Sequence, residues 1–396
     1  MKQLVLVLNC GSSSIKFGLF DIGAGEIARK PLWNGKVDGI LSGSPTYGDS
    51  LTKPHAITLD TAHPYAAALR QIVAMTREQL QDGQLAAIAH RVVHGGSRYF
   101  TPVRVNARVL EDLHSYIPLA PLHQPFALEA IELLLEIDAS LPQIACFDTA
   151  FHHTLPEVEQ VLPLPYAAFE RGIRRYGFHG LSYEYMAVHL PELAGERAKG
   201  RVIVAHMGSG ASLCGMQNLQ SVATTMSFSA LDGLMMGTRC GALDPGVLLH
   251  MMEVEHLTPA RVGAMLYHES GLLGVSGIAS DPRVLLQCEA AEPRARLALA
   301  LYVRRIVREI GAMAAVLGGL DMLVFTAGIG EHNTDIRERV VQGLAFLGVQ
   351  LDAAANQSHA TVISSKESAI PVLVALTNEE WMAARHAQRV LQAGGQ

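Results

Sequence analysis

The sequence predicts a mixed α/β protein of two similar domains facing one cleft, each built on a strand–turn–strand hairpin. Three observations predict it. The chain has 396 residues, and single hydrophobic cores rarely grow past about 250–300 residues. The segment Leu4–Phe20 reads as an apolar run to Leu8, a small polar turn from Asn9 to Ser14, and a second apolar run from Ile15. The same pattern returns at Val202–Met216, where a small-residue turn, Gly208-Ser209-Gly210, separates two apolar runs.

The first hairpin has the composition of a phosphate cradle. Gly11 lets the backbone come close to oxygens, Ser12, Ser13 and Ser14 add hydroxyls, and Lys16 adds one point charge. A P-loop would need G-x-x-x-x-G-K-[ST] opening a helix; here a second strand follows the turn, so a phosphate would meet a hairpin.

The remaining segments fit alternating strands and helices. Leu85–His94 reads as a buried strand running into Gly95-Gly96, and Gln143–Asp148 as another strand that closes on a carboxylate. Met322–Thr326 is a third, ending in Ala327-Gly328-Ile329-Gly330-Glu331. Between them, Pro125–Glu136 and Ala295–Leu317 place apolar residues at three- and four-residue steps, the period of a half-buried helix. Leu155–Arg175, with Pro156, Pro163 and Pro165, reads as an irregular crossing between the halves. Strands that end on chemistry-bearing residues and feed helices place a ligand at one edge of the sheet.

Composition narrows the function. A net charge of −6 provides no basic field for nucleic acid, so anions must be held by a few local cations. The five cysteines, at 10, 146, 214, 240 and 288, are odd in number and contain no C-x-x-C, which argues for a reducing cytoplasm rather than a disulfide framework or structural zinc. Leu4–Leu8 is too short for a signal-peptide core, and no uncharged apolar stretch reaches the roughly 18 residues of a membrane span. His152-His153 has no partner at metal-ligand spacing and is read as structural.

The turn Asn9-x-Gly11-Ser12-Ser13-Ser14-x-Lys16 resembles the N-terminal signature of the acetate kinases. The resemblance continues in order through His90-Arg91-Val92-Val93-His94-Gly95-Gly96, Pro121-Leu122-His123 and Phe147-Asp148-Thr149-Ala150-Phe151-His152. It runs on through Tyr176-Gly177-Phe178-His179-Gly180, Gly233–Arg239, Gly328-Ile329-Gly330-Glu331 and Asn378-Glu379-Glu380. It implies two ribonuclease-H-like domains of the actin, hexokinase and sugar-kinase superfamily around an ATP cleft. The N-terminal domain would take residues 1–148 plus 382–396, and the C-terminal, nucleotide-binding domain 149–381. It also implies a homodimer.

The implied reaction moves the γ-phosphoryl group of ATP to acetate, giving acetyl phosphate and ADP. A carboxylic acid with a pKa of about 4–5 is already ionised at neutral pH, so no base is needed; the obstacle is repulsion between two anions. Such a site must supply positive charge and alignment. By resemblance, Arg91 holds the acceptor carboxylate, Arg239 spans acceptor and phosphoryl group, His179 donates to the phosphoryl group, and His123 supports it. Asp148 carries a catalytic role, read here as positioning. The acyl group is bordered by Val93, Leu122, Phe178 and Ala230. ATP/ADP lies along Ser12, Ser14, Lys16, the turn His206-Met207-Gly208-Ser209-Gly210, Asp281-Pro282-Arg283 and Gly328-Ile329-Gly330-Glu331-His332. Mg²⁺, for which Mn²⁺ substitutes, is held by Asn9 and Glu379.

Four positions depart from the family pattern. Ser209 stands where asparagine is usual, Gln124 where asparagine follows Pro121-Leu122-His123, Ala242 where a carboxylate follows Arg239, and Ala230 where proline borders the acyl group. The smaller Ala230 leaves propionate, or mixed short-chain acids, as the alternative acceptor. An acceptor-free ATPase or a degenerate paralogue are further alternatives, and the pairing of Arg91 with Arg239 argues for a carboxylate acceptor.

Overall fold

A computed structural model describes residues 2–23, 25–121 and 123–394. The chain divides into two units: Met1–Phe151 with Gly180–Ser182 and Asn378–Gln396, and His152–His179 with Tyr183–Thr377.

The first unit holds one sheet built from β1 (Gln3–Cys10), β2 (Ser14–Asp21), β3 (Trp33–Asp38), β4 (Thr46–Asp49), β5 (His55–Ala56), β6 (Gln84–Val92), β7 (Val103–Arg104) and β8 (Gln143–Phe147), in the order β5-β4-β3-β2-β1-β6-β8-β7. β1, β2 and β3 run antiparallel in sequence order, whereas β6 is parallel to β1 and β8 parallel to β6. The β1–β2 turn closes through Gly11 N–H donating to the Ser14 carbonyl at 2.9 Å. One sheet face carries Leu4, Leu6, Leu8, Ile15, Phe17, Leu19 and Trp33 into a core with helices Pro64–Gln79 and Gln124–Ile137. The helix Glu379–Gln392 packs on β1, β2, β6 and β8 and buries Trp381, Met382, Ala383, Ala384 and Ala387.

The second unit repeats the plan with β9 (Val202–Met207), β10 (Ala211–Gln217), β11 (Gln220–Thr224), β12 (Met322–Thr326) and β13 (Val372–Val374), ordered β11-β10-β9-β12-β13. β9, β10 and β11 are antiparallel, and β12 and β13 are parallel to β9. The helix Pro293–Val316 buries Ala295, Ala298, Leu299, Tyr302, Ile306 and Ile310, the three- and four-residue spacing read from sequence. Three antiparallel strands followed by two parallel ones, present twice, is the ribonuclease-H-like arrangement expected. Among the described residues no helix is long and apolar enough to cross a membrane.

This topology positions the chemistry. Parallel strands end at the same sheet edge, so β1, β6 and β8 deliver Asn9, Arg91 and Asp148 to one edge of the first unit. β9 and β12 deliver the 208–210 turn and the 327–332 segment to one edge of the second.

Candidate active site

Arg91 and Asp148 occupy adjacent parallel strand ends in the first unit. Arg91 Nε donates to both Asp148 oxygens at 3.1 and 2.9 Å, and Nη2 donates to Oδ2 at 2.6 Å. Nη1 lies 3.0 Å from Glu379 Oε2, on the first residue of the helix Glu379–Gln392. Asn378 fixes that helix start: its Oδ1 accepts from Trp381 N–H at 3.0 Å and its Nδ2 donates to the Arg29 carbonyl at 2.8 Å. Burial disfavours the Arg91 charge, but Asp148 and Glu379 more than offset it, and its pKa lies above the ordinary arginine value. A guanidinium has five N–H donors. Asp148 and Glu379 engage Nε, Nη2 and Nη1, so by donor count each terminal nitrogen keeps a second N–H.

His179, Arg239 and the 208–210 turn come together in the second unit. His179 sits in the left-handed region, φ 58° and ψ 27°, at the position preceding helix Gly180–Ala194. A non-glycine residue there is strained and persists only where its surroundings over-determine it. They do so here. His152 Nε2 donates to the Phe178 carbonyl at 2.9 Å while its Nδ1 accepts from Ser221 Oγ at 2.8 Å. The His179 ring stacks on His206 at 4.1 Å between centroids, and its Nδ1 meets Ser212 Oγ at 2.8 Å. Ser212 is directly across the hairpin from His206 and also meets Tyr183 Oη at 2.5 Å. A Cβ at Gly210 would lie 3.1 Å from His179 Nε2 and 3.6 Å from Arg239 Nη1, so both groups press on bare backbone. Arg239 Nη1 donates to the Ala230 carbonyl at 3.0 Å, and burial pulls its pKa down from the ordinary value.

A pocket of about 430 Å³ in the same unit is lined by Gly208, Ser209, Asp281, Pro282, Arg283, Gly328, Ile329 and His332, with Gly237, Thr238, Ser280 and Asn333. The 328–332 segment lies in a short helix, Ala327–His332. Met207 and Gly330, each next in sequence to a lining residue, are themselves buried. Glu331 faces inward: its Oε1 accepts from Ala327 N–H at 2.8 Å and Thr377 N–H at 2.9 Å. Arg337, fully buried, donates to the carbonyls of Gly330 (2.9 Å), Glu331 (2.8 Å) and Asn356 (3.0 Å) and to Asn356 Oδ1 (2.8 Å). Arg337 therefore holds the end of that helix. The polar sequence around it, Thr334-Asp335-Ile336-Arg337-Glu338-Arg339, reads as a solvated helix face and gives no sign of this.

The other expected residues are distributed as follows. Asn9 pairs with Lys16 across the first hairpin; Ser12 is exposed and Ser14 half-buried. Lys16 is exposed on a groove of about 600 Å³ that also takes in Asn34, Lys36, Asp38, Asn378 and Glu380. Val93 and His123 are half-buried in the first unit; Phe178, buried, and Ala230, half-buried, belong to the second. Leu122 lies outside the described residues. Ser212, Tyr183 and Arg337 were not singled out from sequence, because a hydroxyl or a cation in an amphipathic stretch has no local signature.

These features are those of a phosphotransferase, and comparison with known proteins fixes the class as a carboxylate kinase. The chain belongs to the acetokinase family, whose profile matches residues 4–385. An acetate kinase of Rhodopseudomonas palustris is 48% identical over 402 residues, covering 100% of both chains. Among solved structures, a propionate kinase of Francisella tularensis superposes with a TM-score of 0.90 at 34% identity, over 97% of this chain and 98% of that one. An acetate kinase of Porphyromonas gingivalis superposes with a TM-score of 0.86 at 35% identity, over 98% and 100%.

Proposed function

We propose that this protein transfers the γ-phosphoryl group of ATP to acetate in a reversible, direct in-line displacement, yielding acetyl phosphate and ADP. The observation that carries the reading is Arg91, locked by Asp148 and Glu379 with two N–H groups to spare. A short carboxylate seated there is already ionised, so Asp148 has no proton to remove from it and acts by holding the guanidinium. The nucleotide occupies the pocket at Gly208, Ser209, Asp281 and Gly328. His179 and Arg239 donate to the transferring phosphoryl oxygens, whose charge they stabilise without reorganising, since each is fixed by neighbours. The acyl phosphate keeps the oxygen of the acid, and ADP leaves with the bridging oxygen of ATP.

Asn9 and Glu379 offer an amide and a carboxylate oxygen, a hard donor set that suits Mg²⁺. When bound, that ion neutralises charge on the phosphate oxygens. Glu379 spends one oxygen on Arg91, which ties the cation-binding residue to the acceptor-binding one.

A second reading, propionate as the favoured acceptor, is supported by Ala230, whose backbone carbonyl anchors Arg239 and whose side chain is a single methyl group. The test is ADP formation by the purified protein with MgATP and acetate, propionate or no acid. Acid-dependent turnover carries the proposal, the better acid chooses between the readings, and ADP formed equally without acid overturns both. A homodimer is part of the same reading; a monomer by light scattering contradicts it.

A further inference from the structure

Gln124 is a buried amide with an unusual set of partners. It is the first residue of helix Gln124–Ile137, directly after His123, and none of its surface reaches solvent. Its Oε1 accepts from His94 N–H at 3.1 Å, and its Nε2 donates back to the His94 carbonyl at 3.1 Å and to the Leu113 carbonyl at 3.4 Å. β6 ends at Val92, so the side chain takes the place of a neighbouring strand for the residue two positions further on. The Leu113 carbonyl belongs to the last turn of helix Ala107–Ser115. One side chain therefore joins three pieces of backbone.

The segment it grips is otherwise held at its far end. Gly95 N–H donates to Thr149 Oγ1 at 3.1 Å and Gly96 N–H to His94 Nδ1 at 2.8 Å. Gly96 adopts φ +61°, and a Cβ on Gly95 would lie 2.3 Å from the Tyr99 carbonyl oxygen. Val93 lies between the fixed strand end, which carries Arg91, and this gripped His94. His123 directly precedes Gln124 at the start of the helix.

We propose that Gln124 is a positioning residue that sets the distance between Val93 and the His123 end of the helix, and thereby the room left for the alkyl group of the acid. This rests on the reading that Arg91 and Val93 receive that acid. The amide is a spacer of fixed length: both of its polar groups are committed to His94, so the side chain's reach dictates where Val93 stands. Shortening it by one methylene, Gln124→Asn, keeps both groups and draws the segment inward by up to about one carbon–carbon bond, ~1.5 Å. A larger acid loses more than a smaller one when apolar room shrinks.

The experiment compares wild type, Gln124→Asn and Gln124→Met for kcat/KM with propionate and acetate, the KM for MgATP, and amide hydrogen exchange of residues 93–96. The expected result for Gln124→Asn is a propionate-to-acetate ratio at least about threefold lower, with the nucleotide KM within about twofold. For Gln124→Met, which fills the volume without pairing, exchange at His94 quickens while the 143–147 strand stays protected. A ratio unchanged within about twofold, or a change confined to the nucleotide, overturns the proposal, because simple loosening would lower both acids alike. If Gln124→Met does not fold, Gln124→Leu supplies the exchange readout and Gln124→Asn the acid ratio. If wild type phosphorylates neither acid, the functional reading fails on its own, and unaltered exchange at His94 in the variant that lacks the amide separately overturns the role of Gln124.

Discussion

Arg91 and Asp148 form a two-pronged pair across neighbouring parallel strands, with Nε and Nη2 donating at 2.9 and 2.6 Å to a single carboxylate oxygen. The pair fixes the plane of the guanidinium. Replacing Asp148 by Asn keeps the shape but removes the charge and puts an amide donor against a donor. The expected outcome is a loss of about 10²–10³-fold in kcat/KM for the acid, with a much smaller change in the KM for ATP. Steady-state kinetics with each substrate varied in turn check it.

Gly210 has no side chain between His179 and Arg239, and one placed there would crowd the tips of both. A methyl group there would stand 3.1 Å from His179 Nε2 and 3.6 Å from Arg239 Nη1. Gly210→Ala should lower kcat by about tenfold or more through displacement of these groups. The thermal midpoint should barely move, because the turn needs no positive φ at this position. Equal losses of stability and activity would show that the turn itself had failed.

Three buried histidines make stability fall in mild acid. Burial pulls His90 and His152 down to about 4 and His94 to about 3, against about 6.5 in an unfolded chain. Between these values the unfolded chain binds protons that the folded one refuses, so stability rises with pH across that window. The contribution is complete above about pH 6.5 and is lost as pH falls toward 4. Thermal midpoints measured from pH 7 to pH 4 should therefore fall, and more gently in His152→Gln, which can still donate to the Phe178 carbonyl and accept from Ser221.

Arg337 holds the carbonyls at the end of the Ala327–His332 helix, and burial lowers its pKa to about 10, leaving it charged at neutral pH. Arg337→Lys keeps a cation but loses the planar fork that reaches Gly330, Glu331 and Asn356 together. The KM for ATP should rise about tenfold, equivalent to about 1.4 kcal/mol, with the KM for the acid unchanged. Varying each substrate separately distinguishes this from a general loss of fold.

The proposed role of Ala230 has its own test. Ala230→Pro adds bulk and stiffens the backbone that accepts the Arg239 hydrogen bond. The propionate-to-acetate ratio of kcat/KM should fall several-fold, since one methylene is worth about 1–3 kcal/mol in an apolar pocket. An unchanged ratio removes Ala230 from the selectivity argument.

Much of this was legible in the chain. The two hairpins were visible because apolar runs interrupted by Gly11 and by Gly208-Ser209-Gly210 have few other solutions. Arg91 and Asp148 stood out as polar residues closing apolar strands, and parallel pairing brings such strand ends to one edge. What stayed hidden depends on long-range geometry. The link from Glu379 to Arg91 joins residues far apart in sequence. Ser212 supports His179 only because hairpin register puts it opposite His206. Gln124 shows in the chain only as one of four departures from the family pattern, and the positions of His94 and Leu113 turn it into a three-way clamp.

Trapping the product tests most directly whether a carboxylate takes the phosphoryl group at Arg91. Wild-type protein with MgATP and acetate or propionate, in the presence of hydroxylamine, should yield one acyl hydroxamate per ADP formed, and Arg91→Ala should abolish both together. ADP released without matching hydroxamate would show that water is the acceptor and contradict the account.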